Sequence, residues 1–169
     1  MARQERGSAG PDPASKGPVP GAAELDIWYF GVRLGEGRYA FLAPLVTEVV
    51  RLGPLTRLPA APTFLPGVFT HRGEILPVLD LSELLLRRAV SLGPGVRAAI
   101  VHAEPWRVAV VADEMEGLLH VPRRRVGPPP AGHAVRDFLQ AVVPDDLGDI
   151  AVIDLPRLVA AARARSAPA

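Results

Sequence analysis

The chain has 169 residues, 49% of them hydrophobic, which is enough for one domain or two small domains with a packed core. Its formal net charge of +1 disfavours a broad nucleic-acid surface or a polybasic membrane patch. Because it contains no cysteine, disulfides, thiolate nucleophiles and cysteine-ligated metals are excluded.

The two ends of the chain differ in composition from the middle. Residues 1–24 are rich in Pro, Gly and other small residues, so we predict that they are disordered. We predict a folded domain at residues 25–162 and a flexible tail at residues 163–169. No apolar run reaches the ~18 residues of a membrane span, and the first residues lack the apolar middle of a signal peptide. We therefore expect a cytoplasmic protein.

Short strands and turns follow one another through the first third of the chain. Apolar residues alternate over residues 28–34, and Gly35-Glu36-Gly37 supplies a tight turn, which predicts a hairpin at residues 27–42. Residues 45–52 are compatible with a short helix or a strand, and their β-branched content favours a strand in the second half. The prolines between residues 53 and 67 predict an ordered, irregular loop.

The middle of the chain continues the strand pattern. Residues 68–81 predict two strands around a turn at Arg72-Gly73-Glu74. Since Pro77 cannot donate a backbone hydrogen bond, its strand is predicted to be an edge strand or to contain a bulge. Residues 97–121 predict three strands, the first two joined by a turn at residues 103–105.

One segment of the sequence occurs twice. Residues 73–85 and residues 148–159 both read Gly, an acid, a β run, Asp-Leu and then a helical start. Asp80 as N-cap with Glu83 three residues later predicts a capping box, and Asp154 occupies the matching position. Two similar strand-to-helix units predict a mainly β fold of two packed small barrels or sheets, with short helices after Asp80 and Asp154.

The residues that could carry chemistry do not form a recognisable set. The four histidines lack a paired metal spacing, and there is no Gly-x-Ser-x-Gly or P-loop motif. His71 and Asp80 are candidates to pair in space, although an exposed strand residue and a helix cap are the simpler interpretation. The basic run at residues 123–125 is interpreted as a solvated strand end, with nucleic-acid contact as the alternative. We therefore predict a protein that is not an enzyme and has no cofactor or metal.

The remaining unusual feature is a group of residues predicted to lie at the surface. Val46, Val49 and Val50 lie beside Glu48, and Arg72 lies at a predicted turn. A rigid β-domain with apolar and charged residues of this kind is typical of a docking module that binds through a groove or a sheet edge.

The order of motifs resembles the CheW-like family of chemotaxis coupling proteins. The resemblance is carried by residues 39–85, above all by T-R-L-P at 56–59, F-L-P-G-V at 64–68, R-G at 72–73 and P-V-L-D-L at 77–81. It continues through residues 97–121 to A-V-I-D-L-P-R-L-V at 151–159.

This resemblance implies a fold of two intertwined SH3-like β-barrels and no enzymatic activity. It implies an adaptor that couples the cytoplasmic tip of a methyl-accepting chemoreceptor to the regulatory domain of a CheA-type histidine kinase, recruited to membrane receptor arrays. The receptor tip is a helical bundle, so docking of a helix in a groove is the expected mode. No nucleic acid and no direct membrane insertion are expected.

The resemblance also nominates site residues. Val46 and Glu48 match family positions associated with partner binding, and Gly67 and Arg72 match positions whose change impairs coupling. Arg72, helped by His71, is the principal prediction, because a guanidinium can make several directed hydrogen bonds. The structural alternatives are an internal bridge between the barrels for Arg72, a solvated charge for Glu48, and a backbone requirement for Gly67.

The sequence departs from the family pattern in two places. The pair before Arg72-Gly73 is Thr70-His71 in place of the usual Asn-Leu, and the glycine expected near Ala141 is missing. The second departure predicts a trimmed end of the second barrel and puts its kinase contacts in doubt. Three alternatives stay open: a diverged paralogue that binds one partner in another motility or developmental pathway, a small hydrolase in which His71, Glu74 and Asp80 converge, and a nucleic-acid-binding barrel.

Overall fold

The structure, a computed structural model, describes residues 25–166. The predicted disordered segment 1–24 lies outside the described residues. Among residues 25–166, no helix combines the length and apolar character needed to cross a membrane. The strands are β1 (Ile27–Leu34), β2 (Gly37–Leu42), β3 (Val46–Arg51), β4 (Gly67–His71), β5 (Glu74–Asp80), β6 (Arg97–Ala103), β7 (Trp106–Val111), β8 (Glu114–Val121), β9 (Leu139–Val143) and β10 (Ile150–Ile153), and the helices are α1 (Leu81–Leu86) and α2 (Leu155–Ser166).

The strands form two curled five-stranded sheets that interleave the two ends of the chain. The central barrel has the order β3-β6-β7-β5-β4 and comes from one continuous segment. The composite barrel has the order β8-β1-β2-β10-β9, so the first hairpin completes a sheet begun by the last three strands. The predicted mainly β fold of two intertwined barrels is therefore confirmed.

The two barrels repeat the same closure. In the central barrel, Thr56 and Val68 exchange two backbone hydrogen bonds of 2.8 and 2.9 Å. In the composite barrel, Gly127 and Val142 exchange two of 2.8 Å. Each barrel also contains one parallel pair, β5 with β7 and β10 with β2. The sequence repeat is therefore a repeat of structure as well.

Both helices begin at an aspartate, as predicted. The Asp80 carboxylate accepts a 3.0 Å hydrogen bond from the Glu83 N–H, and the Asp154 carboxylate accepts one of 3.1 Å from the Arg157 N–H. Asp80 also accepts a 2.7 Å bond from the Val90 N–H, so it ties the start of α1 to the chain that follows the helix.

The reciprocal half of the predicted capping box is not formed. The Asp80 N–H donates to the Phe64 carbonyl at 2.9 Å, so it has no need of the Glu83 side chain. The Glu83 carboxylate instead accepts a 2.7 Å bond from the Thr63 hydroxyl. Both contacts attach the irregular loop before β4 to the start of α1.

The largest part of the core lies between the barrels. Side chains from both sheets and both helices contribute to it, including Phe30 and Phe41 with ring centroids 5.7 Å apart. Two smaller apolar clusters fill the barrel interiors, one around Tyr29 and one around Phe69. The strands alternate between these two environments, which is why their patterns carry apolar residues on both faces.

The prediction for Pro77 was wrong. Its strand β5 is internal, with β4 on one side and β7 on the other, and its pairing with β4 shows no register shift. Val68, opposite Pro77, directs its N–H and carbonyl to Thr56, so this pair exchanges no hydrogen bonds. On the other side, pairing with β7 begins only at Val78. The missing N–H of Pro77 therefore costs no ladder bond.

The predicted trimming of the second barrel was also wrong. The composite barrel keeps five strands, and Ala141 pairs with Val152 as Gly67 pairs with Val78 in the central barrel. The β9–β10 ladder shifts its register next to this pair, between Val152 and Ile153. The central barrel has no such shift at Gly67, and this local difference accompanies the side chain at position 141.

The end of the domain lies later than predicted. Helix α2 continues to Ser166, so residues 163–166 are helical instead of a flexible tail, and residues 167–169 lie outside the described part of the chain. Arg163 stacks on the indole of Trp106, with its guanidinium carbon 3.3 Å from the ring centroid. This contact attaches the last turn of α2 to the central barrel.

Candidate docking surface

The two edge strands of the central barrel are joined by one carboxylate. Glu48 lies on β3, and its Oε1 is 2.9 Å from Nε2 of His71 at the end of β4. Its Oε2 is 3.1 Å from Nη2 of Arg72 in the following turn. Since β3 and β4 are opposite edges of the sheet, these three residues, which we call the Glu48 seam, lie where the barrel closes.

Local backbone features place each member of the seam. The β3–β6 ladder shifts register between Val46 and Glu48, and the extra residue, Thr47, donates its hydroxyl to the Ile100 carbonyl at 3.0 Å. The two-residue turn after β4 has positive φ at both positions, 49° at Arg72 and 81° at Gly73, as in the hairpin turns that match strand twist. The glycine at the second position makes this turn accessible. The turn places the side chain of the neighbouring Arg72 at the end of the hairpin.

Accessibility differs strongly within the seam. The Arg72 side chain is 78% exposed, whereas those of Glu48 and His71 are 23% and 18% exposed. His71 is thus a half-buried residue, in contrast to the exposed strand residue expected from sequence. Arg72 pairs within its own barrel, so the alternative of an internal bridge between the barrels is wrong. The seam therefore consists of one accessible guanidinium, that of Arg72, and two partly buried side chains, those of Glu48 and His71.

The other two nominated residues lie apart from the seam. Val46 packs against the core between the barrels, next to the short 3-10 turn Ala43–Leu45. Gly67 is buried, and a Cβ there would lie 2.5 Å from the Thr56 carbonyl oxygen, closer than any real contact. Val46 is therefore placed at the junction of the barrels, while Gly67 permits the backbone approach that closes the central barrel.

Several apolar residues of the central barrel are exposed. Val49 on β3, predicted as a surface residue beside Glu48, is 40% exposed, and Ile75 on β5, which no sequence pattern singled out, is 67% exposed. The proline-rich loop before β4 also forms an open cleft of about 750 Å³, with Arg57 and Leu58 among its lining residues. The many prolines and leucines of this loop indicate such a surface in the sequence. A segment that cannot pair as a strand leaves its apolar side chains on an irregular surface.

The arrangement needed for a hydrolase is not formed. His71 binds Glu48, Glu74 pairs with Arg107, and Asp80 binds backbone N–H groups at the start of α1. Within residues 25–166, no group of three His, Asp or Glu side chains could hold a metal ion. The basic run Arg123–Arg125 forms a short 3-10 turn after β8, where Arg125 lies 3.8 Å from the Asp145 carboxylate.

Comparison with known proteins identifies close similarity to one family. The family described as "CheW-like domain" matches residues 29–163. Protein FrzA of Myxococcus xanthus is 40% identical over 116 residues, which cover 68% of this chain and 72% of that protein. Chemotaxis protein CheW of Rhizobium meliloti is 29% identical over 127 residues, covering 73% and 81%.

A solved structure has the same fold. The scaffolding protein TtCheW of Thermoanaerobacter tengcongensis aligns with a TM-score of 0.72 and 24% identity, over 79% of this chain and 92% of that one. The two-barrel architecture inferred from the sequence repeat is thus shared with a protein described as a scaffold.

Proposed function

This chain belongs to the CheW-like domain family, whose members are non-catalytic adaptors, and on that premise we propose that it links a chemoreceptor to a CheA-type histidine kinase. The family match over residues 29–163 is the observation that carries the proposal. The adaptor is cytoplasmic and is recruited to receptor arrays at the membrane through its partners. Its contribution is geometric, since it brings a receptor and a kinase into fixed proximity.

The Glu48 seam supplies the principal contact in this proposal. The Arg72 guanidinium has five N–H donors in a fixed fork, and the contact with Glu48 engages one edge of it. The half-buried Glu48 is itself bound by His71, so the carboxylate is held before a partner arrives. A positioned guanidinium loses less side-chain entropy on binding than a free one, which favours Arg72 as the residue that contacts a carbonyl or carboxylate of the partner.

Apolar contact with a helical receptor tip is assigned to the junction between the barrels. Val46, Ala43 and Leu45 are half-buried there and pack against the shared core. A receptor helix lying along this junction would cover them with its own apolar face, the usual mode of helix-in-groove recognition. The kinase regulatory domain has a related fold by family resemblance, and it takes a separate surface.

Binding experiments with the full chain test this function. Immobilised protein is expected to retain both a receptor signalling tip and a CheA-type regulatory domain, and retention of neither overturns the adaptor function. Arg72→Glu is expected to reduce receptor binding at least ~10-fold, because the reversal places a carboxylate beside Glu48 and removes the donors. Arg157→Glu reverses an exposed arginine on α2 and serves as the matched control with unchanged binding.

A second candidate function is favoured by the pattern of relatives. The 40% identity to Protein FrzA exceeds the 25–29% identities to the chemotaxis proteins CheW of Treponema pallidum and Rhizobium meliloti. A diverged paralogue in another motility or developmental pathway accounts for this difference. It is distinguished by the same experiment, since it retains one partner and not the other.

A further inference from the structure

The outer face of β3 forms a stripe of side chains that leads away from the junction between the barrels. The register shift at Thr47 puts Val46 and Val49 on the same side of the strand, although they are three residues apart. Their partners on β6, Val101 and Ala99, belong to the core between the barrels. Val46 is half-buried at the junction, whereas Val49 is 40% exposed beyond it. The stripe thus continues the apolar surface of the junction towards the end of β3.

The stripe ends at two arginines that face each other. Side chains alternate along a strand, so Arg51 lies on the same face as Val49, and its partner in the ladder is Arg97. The Leu52 N–H donates to the Val96 carbonyl at 2.8 Å, which makes these two residues a hydrogen-bonded pair. The two kinds of pair alternate in an antiparallel ladder. Arg51 and Arg97 therefore form a non-hydrogen-bonded pair, the kind whose side chains lie closer together.

This pair of like charges has no counter-charge in the described part of the chain. Arg51 and Arg97 are both exposed, and within residues 25–166 neither forms an ion pair with a carboxylate. The other arginines on the described strands, Arg33, Arg38 and Arg107, each pair with one. Like charges directly opposite each other destabilise a sheet. An anion placed between the two guanidiniums therefore removes a repulsion as well as gaining two ion pairs.

We propose that Arg51 and Arg97 bind an acidic side chain of the receptor helix that docks at the junction between the barrels. The inference rests on the proposed adaptor function, and it assigns to these two residues the selection among receptors. A carboxylate between the two guanidiniums accepts charge-assisted hydrogen bonds from both. Val46 and Val49 lie on the same face of β3, so the helix covers them with apolar side chains and carries its acidic residue beyond them.

The length of the stripe gives the spacing of these residues on the receptor helix. Arg51 follows Val46 by five residues, a span of about 15 Å along a strand. A helix that runs along β3 covers this span in about 10 residues, or roughly three turns. The acidic residue is therefore expected about three turns from the residue over Val46, and about one turn from the residue over Val49.

Titration of a receptor signalling tip against the full chain tests this assignment. Each acidic residue of the tip helices is changed to Gln, one at a time. One of these changes, at the expected spacing, should weaken binding to the wild-type chain about 10-fold. The same change should have less than a ~2-fold effect on the double variant Arg51→Thr/Arg97→Thr, because that chain lacks both guanidiniums. The double variant should bind the unchanged tip about 10-fold more weakly than the wild-type chain does.

The stability of the free protein separates a binding role of the two arginines from a structural one. Arg51→Thr and Arg97→Thr each remove a like-charge repulsion, so the free energy of unfolding in urea should stay the same or rise while receptor affinity falls. Any gain should shrink at high salt, because salt screens the repulsion between exposed charges. A variant that loses stability together with affinity would show that the pair supports the fold, and would overturn the inference.

A matched control separates this contact from the effect of net charge. Arg136→Thr/Arg157→Thr also removes two exposed arginines, but away from the stripe, and it should bind the tip like the wild-type chain. Retention of neither a receptor tip nor a kinase regulatory domain overturns the adaptor function and this inference with it. Retention of the kinase domain alone, equal weakening by the control, or an acid scan that does not distinguish wild type from Arg51→Thr/Arg97→Thr overturns the inference alone.

Discussion

Nε2 of His71 lies 2.9 Å from Oε1 of Glu48, and this contact joins the two edge strands of the central barrel. Both side chains are largely buried, whereas the neighbouring Arg72 is 78% exposed. The Glu48 carboxylate therefore has a sheltered partner and an exposed one. A partly buried ion pair is screened less by solvent and salt than an exposed one. The Glu48–His71 and Glu48–Arg72 contacts should therefore differ in their contribution to the free energy of unfolding and in their role.

Double-mutant cycles measure this difference. With the variants Glu48→Ala, His71→Ala and Arg72→Ala, we expect a coupling of about 1 kcal/mol between Glu48 and His71. The coupling between Glu48 and Arg72 is expected to be below ~0.5 kcal/mol, since exposed ion pairs contribute little. The free energy of unfolding in urea gives both values. Equal couplings would remove the distinction between His71 as the residue that supports Glu48 and Arg72 as the residue free to contact a partner.

The matching positions Gly67 and Ala141 give a test of barrel closure. Gly67→Ala places a Cβ 2.5 Å from the Thr56 carbonyl oxygen, and the backbone there is already engaged in closing the barrel. We expect a loss of about 3 kcal/mol or more in unfolding free energy. Ala141→Gly changes the equivalent pair of the composite barrel and should lose only about 1 kcal/mol, from added chain entropy.

Urea titrations of both variants decide the matter. If Gly67→Ala were as mild as Ala141→Gly, the close approach at Thr56 would be easily relieved. Gly67 would then be a candidate for direct partner contact again, although it is buried in the free protein.

Local signals predicted most of the fold. Alternating apolar residues and the repeated pattern ending in Asp80 and Asp154 predicted the strand-to-helix units, because alternation and capping depend on residues close in sequence. The strand that pairs with the first hairpin cannot be predicted from such local signals. β2 pairs with β10, more than a hundred residues away, and no local period specifies that choice. Only the family resemblance predicted the intertwining.

The geometry around the candidate residue Arg72 could be predicted only in part, for the same reason. Arg72 was identified by its turn and its family position, but its support by Glu48 and His71 depends on closure of the barrel and on the register shift at Thr47. Leu147, between β9 and β10, is 83% exposed and was not predicted as a surface residue, although its signal is local. An apolar residue in the run Asp-Leu-Gly-Asp has no apolar neighbour along the chain to cover it.

The two capping aspartates should differ in their contribution to stability. Asp80 is 2% exposed and accepts hydrogen bonds from two N–H groups, those of Glu83 and Val90. Asp80→Ala leaves both donors unsatisfied in the interior, so we expect a loss of about 3 kcal/mol. Asp154 is only half-buried and accepts from the Arg157 N–H, so Asp154→Ala should lose about 1 kcal/mol.

Thermal and urea unfolding of the two variants provide the comparison. Equal losses would mean that the Val90 contact adds nothing, and that the segment after α1 is held by other interactions.

The pH dependence of the unfolding free energy adds a second test of Asp80. Burial raises the pKa of Asp80 in spite of its hydrogen bonds, so the proton-linked part of its contribution to stability is fully present below the unfolded pKa and is lost as the pH rises through the folded pKa.

Asp113 should affect stability with the opposite sign. It links the barrels, since its carboxylate accepts a 2.7 Å hydrogen bond from the Gly35 N–H and a 3.0 Å bond from the Ser82 hydroxyl, and it also binds Arg88. Burial alone raises the pKa of this carboxyl, but these three donors outweigh burial and lower the pKa below its usual value. The stabilisation is therefore complete above the unfolded pKa and is lost as the pH falls through the folded pKa.

Unfolding free energies measured from pH 6 down to about pH 2.5 test this sign. Wild type is expected to lose stability below about pH 4, the ordinary pKa of an aspartate. Asp113→Asn should be less stable than wild type at neutral pH and should show a shallower fall in the acid range. Asp137→Asn alters an exposed carboxyl before β9 and should keep the wild-type slope. A slope for Asp113→Asn equal to that of wild type would show that the link between Gly35 and Ser82 does not depend on the carboxylate charge.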